Sequence, residues 1–407
     1  MRERAQKIID TCRQIAAMTE EPGRITRRFL TPPVREVHAL LSERMRALGM
    51  EVRVDGVGNL RGVWRPEGAG ARRIVLGSHI DTVPDAGAFD GVLGVAMALE
   101  LVEMAHEMAQ PAAMEVIAFS EEEGVRFSGP LLSSRAVAGR WDPALLEQTD
   151  EDGVTLAEAI RAFGLEPTKI AQAALDEDAA AFVEFHIEQG PVLEAEGLKV
   201  AAVTAIVGQS RLDVEFAGEA NHAGTTPMRL RRDAMTAAAE WALAVEDAAR
   251  AEDGMVATVG RVQVSPGATN VIPGVARVSL DARHADDATR ESVLDSLTKR
   301  ARAIGERRGV HVRWETLMDL PAVPMEERLT AYLLDAMEAE GLQTKVMPSG
   351  AGHDAMVMAA RVPTAMLFLR SPGGVSHNPA ETVREEDVEA ALRVGYKFLE
   401  RLAAEIR

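Results

Sequence analysis

One cysteine, Cys12, is all the thiol chemistry the 407 residues contain, so a disulfide framework is excluded. It lies on the apolar face of a helical pattern, and nothing beside it would lower its pKa, so it reads as packing rather than as a nucleophile. Aromatic side chains are scarce, at 4%, and any core must therefore be built from aliphatic residues. Positive charge is in deficit: 45 Lys and Arg against 63 Asp and Glu leave a formal charge of -18, which argues against nucleic acid as a partner. An anionic small molecule is still allowed, because a site can be locally basic. No apolar run is long enough to span a bilayer, so no membrane partner is expected. The first residues, MRERAQKIIDTCRQI, are charged and helical in period and lack an apolar h-region, so no signal peptide is expected. Together with the lone cysteine, this points to the cytoplasm. Several catalytic signatures are also missing. His106-Glu107 has no second histidine at HExxH spacing, and there is neither a G-x-S-x-G elbow nor a phosphate loop. Internal repeats and low-complexity segments are absent as well.

The chain does have an ample supply of hydrophobic residues, 47%, and a length sufficient for two or three domains. Its most informative stretch is 77–94, GSHIDTVPDAGAFDGVLG. The β-branched run Ile74-Val75-Leu76 leads in and Gly77-Ser78 stops it, which reads as a buried parallel strand. His79, Asp81 and Asp90 follow, and then an apolar helical run to about residue 108. A strand that ends in a ligand-rich loop and feeds a helix is where open α/β sheets place their sites. Imidazole nitrogen with carboxylate oxygen suits zinc, manganese, cobalt or nickel. Asp81, two residues beyond His79, would point the same way on an extended backbone and orient the ring. Asp90, with two oxygens, is able to bridge two ions. Taken alone, the stretch also fits a helix N-cap Asp beside a satisfied core histidine, so ligands elsewhere must decide.

In chain order, 3–19 is an amphipathic helix, Pro32-Pro33 opens a second that Gly49 ends, and short strands are expected at 51–54 and 60–64. A β-type run at 114–119 ends in Ser120-Glu121-Glu122-Glu123. Three acids at the end of a buried strand are costly unless they are solvated, protonated or bound to a cation. Adjacent carboxylates offer two roles, one taking a metal and its unligated neighbour taking a proton from water. The strand at 182–187 contains His186 and is followed by Glu188-Gln189-Gly190, and 199–207 reads as one more strand. From about 209 the texture changes: residues 211–216 alternate, as a half-solvated antiparallel strand does. A turn-rich loop at 218–228, a helix at 234–252, strands at 255–264 and 275–282, a helix at 288–308 and a strand at 310–314 give the order β-α-β-β-α-β of a ferredoxin-like module. After it the first style returns, with a helix at 327–340, a strand at 344–347, GAGHD at 350–354 opening a short helix, a buried strand at 362–369, His377 in a Gly-rich loop, and a last helix at 385–406. The expected class is therefore α/β. A catalytic domain, 1–208 with 325–407, is built on a mostly parallel central sheet flanked by helices, and an α+β ferredoxin-like domain, 209–324, is inserted into it.

His79, Asp90, Glu123, His186 and His377 all fall in or just after apolar strands of the outer domain. Five such ligands, one of them a bridging carboxylate, fit a pair of divalent ions. His222 in its Gly/Asn/Thr loop, Asn270 before Val-Ile-Pro-Gly, and Arg283 on a strand are, on their own, ordinary turn and ion-pair residues. His353 is placed among the substrate contacts, although a support behind the ligands or a helix cap also fits it, and His38, His106, His284 and His311 read as structural or surface residues.

The motifs GSHIDT, FDG, EEEGVRF, EFHIEQGP, GEANHAGTTPM, GATNVIPG, DAR, GAGHDA and GVSHNPAE, in that order over nearly the whole chain, resemble the dinuclear metal amidohydrolases of the M20 peptidase superfamily. More narrowly they resemble the branch that holds allantoate amidohydrolase, N-carbamoyl-L-amino acid hydrolase and β-ureidopropionase. The resemblance implies two divalent metal ions per subunit (Zn, Mn, Co or Ni), one held by His79, Asp90 and His186 and the other by Asp90, Glu123 and His377. It makes Glu122 the general base and Asp81 the residue that orients His79. His222 would stabilise the oxyanion, and Gln189, Asn270 and Arg283 would bind the carboxylate and amide of the substrate. It also implies a homodimer formed through the inserted domain, which would act as dimerisation module and lid. The implied substrate is a small ureido carboxylate, cleaved at its C–N bond with release of ammonia and carbon dioxide. Residues 206–209, 221–228 and 350–354 lie nearer the allantoate enzymes. N-carbamoyl-L-amino acid hydrolase is the near alternative and an exopeptidase of the superfamily the distant one.

Overall fold

The computed structural model describes residues 1–108 and 111–406. The chain divides into two compact units, Met1–Thr204 with Met325–Arg407, and Ala205–Pro324.

The first unit is organised by a sheet whose four central strands are Ala113–Phe119, Arg73–His79, Ala179–Ile187 and Thr364–Leu369, in that spatial order. All three pairings among them are parallel. Every residue of these four strands is buried, as expected where helices cover both faces. Antiparallel strands flank this core, Leu60–Trp64 and Glu51–Val54 on one side and Val200–Ile206 on the other. The helix Val92–Ala105 packs against the middle of the sheet. All of its residues are buried except Glu103, so it has no solvated stripe and reads as hydrophobic all round. Its one inward acid, Glu100, is balanced by Arg4 at 2.5 Å and Lys7 at 3.0 Å from the first helix, Arg2–Ala16. The closing helix Glu385–Glu405 starts with three acids in its first turn, which suits the positive end of the helix dipole.

The inserted unit has an antiparallel sheet in the order Val262–Ser265, Val275–His284, Gly208–Ala217, His311–Leu320, with Val256–Thr258 also paired to Val275–His284. Helices Ala234–Ala251 and Asp287–Arg308 cover the face that carries Leu212, Val214, Phe216, Val278 and Leu280. This is the ferredoxin-like arrangement. Two details differ from expectation. The strand expected at 255–264 is interrupted around Gly260-Arg261, where the Arg261 N–H donates to the Ser279 hydroxyl instead of to a ladder carbonyl. The strand expected at 310–314 runs on to Leu320, past a register shift between Thr316 and Met318 that turns Leu317 outward. Among the described residues no helix is long and apolar enough to cross a membrane.

Candidate metal centre

The four parallel strands all deliver chemistry at their C-terminal ends. His79 is the last residue of Arg73–His79, and His186 is the last but one of Ala179–Ile187. Glu122 and Glu123 follow Ala113–Phe119, and His377 lies in the loop after Thr364–Leu369. Asp90 lies between His79 and the helix Val92–Ala105. Sharp backbone turns make this convergence possible. Gly91 has φ +65°, and a Cβ there would sit 2.5 Å from the His79 ring, so only glycine lets the helix start this close to the ligand.

Asp90 is the hub. Its Oδ1 lies 3.3 Å from His186 Nε2 and 3.8 Å from His79 Nε2, while its Oδ2 lies 3.1 Å from His377 Nε2. One oxygen therefore serves each side, as a bridging carboxylate requires. Two compact three-ligand groups result, His79–Asp90–His186 and Asp90–Glu123–His377, with ligand atoms in each within 4.8 Å of one another. The ring orientations agree with this. His186 Nδ1 donates to the Ile187 carbonyl at 2.9 Å, and His79 Nδ1 faces the Asp81 carbonyl at 3.1 Å, which leaves both Nε2 atoms toward Asp90.

Burial sets the electrostatics. It pushes Glu123 up to about 7 despite the attraction of His79 and His377, and it pushes Glu122 well above the ordinary range, helped by Glu123 and Asp354. Asp90, although buried, is held low by His377, His186 and His79. Burial lowers His186 to about 4. Glu123 Oε1 is buried and, among the described residues, has no hydrogen-bond partner, with His377 Nε2 next to it at 3.6 Å. Mixed N/O donors, excess buried negative charge and an orphaned carboxylate oxygen together fit divalent cations of the zinc, manganese, cobalt and nickel class. The Glu122 carboxylate also stands close enough to His79 and Glu123 to share a ligand group with them.

Asp81 has a larger part than orienting a ring. Its Oδ1 is 3.5 Å from His79 Nδ1, but its hydrogen bonds come from the main chain: the Glu122 N–H at 3.0 Å and the Glu123 N–H at 3.1 Å. It thereby ties the loop carrying both glutamates to the end of the neighbouring strand. Gln189, in the left-handed region at φ +60°, turns its amide toward Asp90, donating to Oδ1 at 3.2 Å and Oδ2 at 3.1 Å. His353 is fully buried behind the ligands, its ring edge-on to His186 with centroids 4.4 Å apart and its Nε2 2.9 Å from the Ser349 hydroxyl. Glu184 was not among the expected site residues. It is buried beside His186 and His353, takes the Ser78 hydroxyl at 2.8 Å and the Ala355 N–H at 2.9 Å, and is pushed up to about 7 by burial. An acid in the middle of AFVEFHI, where every other residue but His186 is apolar, was the available signal.

The remaining expected residues belong to the inserted unit. His222 is exposed, and its Nδ1 accepts the N–H groups of Gly224 at 3.0 Å and Thr225 at 3.2 Å. That fixes the tautomer with a proton on Nε2, an outward donor. Asn270 lies beside it, its main-chain carbonyl taking the Ala223 N–H at 2.9 Å. Arg283 forms a two-pronged pair with Asp281, at 2.7 and 3.0 Å, and Asp281 also takes Arg211.

The fold and the candidate ligand cluster fit a hydrolase of the amidohydrolase kind, and comparison with known proteins supports that class. Residues 75–401 match the model of Peptidase family M20/M25/M40. The chain belongs to this family. It is 40% identical to an N-carbamoyl-L-amino acid amidohydrolase of Geobacillus stearothermophilus, over 94% of each chain. To the allantoate amidohydrolase of Escherichia coli it is 37% identical, over 98% of each. Among solved structures, an amidase of the hydantoinase/carbamoylase family from Burkholderia multivorans superposes with a TM-score of 0.92 at 31% identity, over 98% of both chains.

Proposed function

We propose that the protein hydrolyses the ureido C–N bond of a small carboxylate, with allantoate as the substrate. The observation that carries the proposal is the arrangement at Asp90: two three-ligand groups share one carboxylate, and the buried Glu122, a member of neither, stands beside them within reach of His79 and Glu123. His79, Asp90 and His186 would hold one divalent ion, and Asp90, Glu123 and His377 the other. When bound, such ions polarise a carbonyl and make water more acidic. Glu122, kept close by the grip of Asp81 on its N–H, takes the proton of the attacking water and passes it to the leaving nitrogen. The water oxygen ends on the carbonyl carbon, so ammonia and carbon dioxide leave and the amine product keeps the carboxylate. His222 Nε2–H is assigned to the oxyanion. Gln189, Asn270 and Arg283 are assigned to the carboxylate and amide, with the inserted unit also forming a homodimer.

A second reading, hydrolysis of an N-carbamoyl-L-amino acid, is favoured by the 40% identity to the Geobacillus enzyme. Turnover of allantoate and of N-carbamoyl-L-methionine by the Mn²⁺-loaded protein separates the two, and the first is expected to be faster. Glu122→Gln should lower kcat on the preferred substrate by about 10²–10⁴-fold with metal content retained. Failure on both substrates, or full activity in Glu122→Gln, would sink the proposal.

A further inference from the structure

We propose that Glu381 is a positioning residue, which staples the Asp90 loop to the His377 loop and so sets how tightly the Asp90–Glu123–His377 group holds its ion. The inference rests on the reading of Asp90 and His377 as metal ligands. His377 is the vulnerable member of the set. The side chains of His79, Asp90, Glu123 and His186 are buried, whereas that of His377 is 48% exposed. Its backbone is in the left-handed region, φ +53°, in the irregular segment between the single 3-10 turn Pro372–Gly374 and the helix Glu385–Glu405. A ligand on such a loop needs an external hold to stay within reach of Asp90.

Glu381 supplies one. Its side chain is buried. Oε1 accepts the main-chain N–H groups of Phe89 at 2.9 Å and Asp90 at 3.0 Å. Oε2 accepts the hydroxyl of Ser376, the residue before His377, at 3.0 Å. Ser376 Oγ in turn accepts the Gln189 amide at 3.2 Å, and that same amide donates to the Asp90 carboxylate. The hydrogen bonds therefore close a ring that runs from the Asp90 main chain through Glu381, Ser376 and Gln189 back to the Asp90 carboxylate. An ionised carboxylate suits this post, because it accepts only and offers one oxygen to each loop. Gly87 completes the fit: a Cβ there would overlap the Glu381 side chain, so the loop before Asp90 can lie against Glu381 only if position 87 has no side chain. Glu381 is in none of the ligand groups found among the described residues, so it acts through Asp90 and His377 and not on an ion directly.

The test is Mn²⁺ binding, followed by calorimetry and by the electron paramagnetic signal of free Mn²⁺, on chelator-stripped protein. Glu381→Ala should weaken the weaker of two Mn²⁺ by about 10–100-fold, the range usual for residues that orient a ligand. The far-UV circular dichroism of the stripped protein should be unchanged. Glu381→Gln should restore most of the affinity, since its amide oxygen keeps both N–H groups and its NH₂ can donate to the Ser376 hydroxyl, which rotates to accept. Ser376→Ala, which cuts only the link to the His377 loop, should fall between. A folded Glu381→Ala protein with wild-type affinity overturns the inference. If Glu381→Ala does not fold, unchanged binding by Ser376→Ala overturns it instead. A wild-type protein that binds no Mn²⁺ would remove the ligand assignment itself, an outcome readily told apart from these.

Discussion

The two large sheets of this protein treat the same amino acids in opposite ways. In the parallel sheet, Arg73–His79, Ala113–Phe119 and Ala179–Ile187 are buried at every position, and yet they contain Ser78, His79, Glu115, Glu184 and His186. In the inserted sheet, Gly208–Ala217 and Val275–His284 alternate between buried and partly solvated positions, and Asp213, Glu215 and Arg277 stand on the wet side. A polar residue between two packed faces must find a specific partner or an ion, because unpaired burial costs several kcal/mol. One on a half-solvated sheet has water. An acid or imidazole in the first sheet is therefore evidence of a designed network or a site, whereas in the second it is mostly a surface.

The sharpest way to break this contrast is Glu115. Its two oxygens accept Arg61 Nε and Arg73 Nε, each at 2.7 Å, with all three side chains buried. Burial pushes this carboxyl up, but the two guanidinium groups outweigh it and hold it below its ordinary value. Glu115→Ala removes the acceptor that two buried arginines share, leaving Arg61 beside Asp55 at 3.8 Å and Arg73 paired with Asp178, and should cost at most about 3–5 kcal/mol, read as a fall in the urea midpoint. A loss below about 1 kcal/mol would mean that water reaches these arginines and that the distinction between the sheets is overstated.

The contrast also explains what could be read in advance. The ligand segments were legible because apolar, strand-like runs followed by His, Asp or Glu recur: each alone is a weak pattern, but four such runs supply five candidate ligands. Glu115, Glu184 and Glu381 were not singled out. Each acts through partners distant in sequence: Arg61 and Arg73, Ser78 and Ala355, and the N–H groups of Phe89 and Asp90. Local spacing has no information about such partners. The ferredoxin-like order was legible because alternation survives in a one-faced sheet. The break at Gly260-Arg261 and the extension to Leu320 were not, since both depend on which neighbour supplies the ladder.

An intermediate effect is expected at His38, a buried imidazole of the first unit that belongs to none of the candidate ligand groups found among the described residues. It lies on the helix Pro32–Ala47, edge-on to Phe163, and its Nε2 has no hydrogen-bond partner among the described residues. Burial, with some help from Arg35, lowers it from 6.5 to about 4. The unfolded chain therefore binds more protons than the folded one between these values. The stability that His38 contributes by remaining neutral is complete above pH 6.5 and is lost as the pH falls toward 4. The slope should approach 1.4 kcal/mol per pH unit at most, about RT ln 10. His38→Leu should flatten the profile of urea midpoint against pH over that interval and change little at pH 8. An unchanged acid slope would show that the imidazole takes up its proton without unfolding.

The smallest effect should come from the wet face of the inserted sheet, where charge is abundant and each pair counts for little. Glu215 accepts Arg277 Nε and Arg313 Nε, each at 2.7 Å, a cross-strand ladder that looks on paper like the Glu115 cluster. The difference lies in solvation: the Arg277 and Arg313 side chains are 59% and 74% exposed. Water screens the attraction and re-solvates whichever partner is left behind. Arg277→Ala should therefore cost no more than about 1 kcal/mol, and the cost should shrink further in 0.5 M salt, whereas the loss in Glu115→Ala should be almost insensitive to salt. Equal salt sensitivity in the two variants would show that burial does not separate them, and an acid in the parallel sheet would then lose its value as a marker of function.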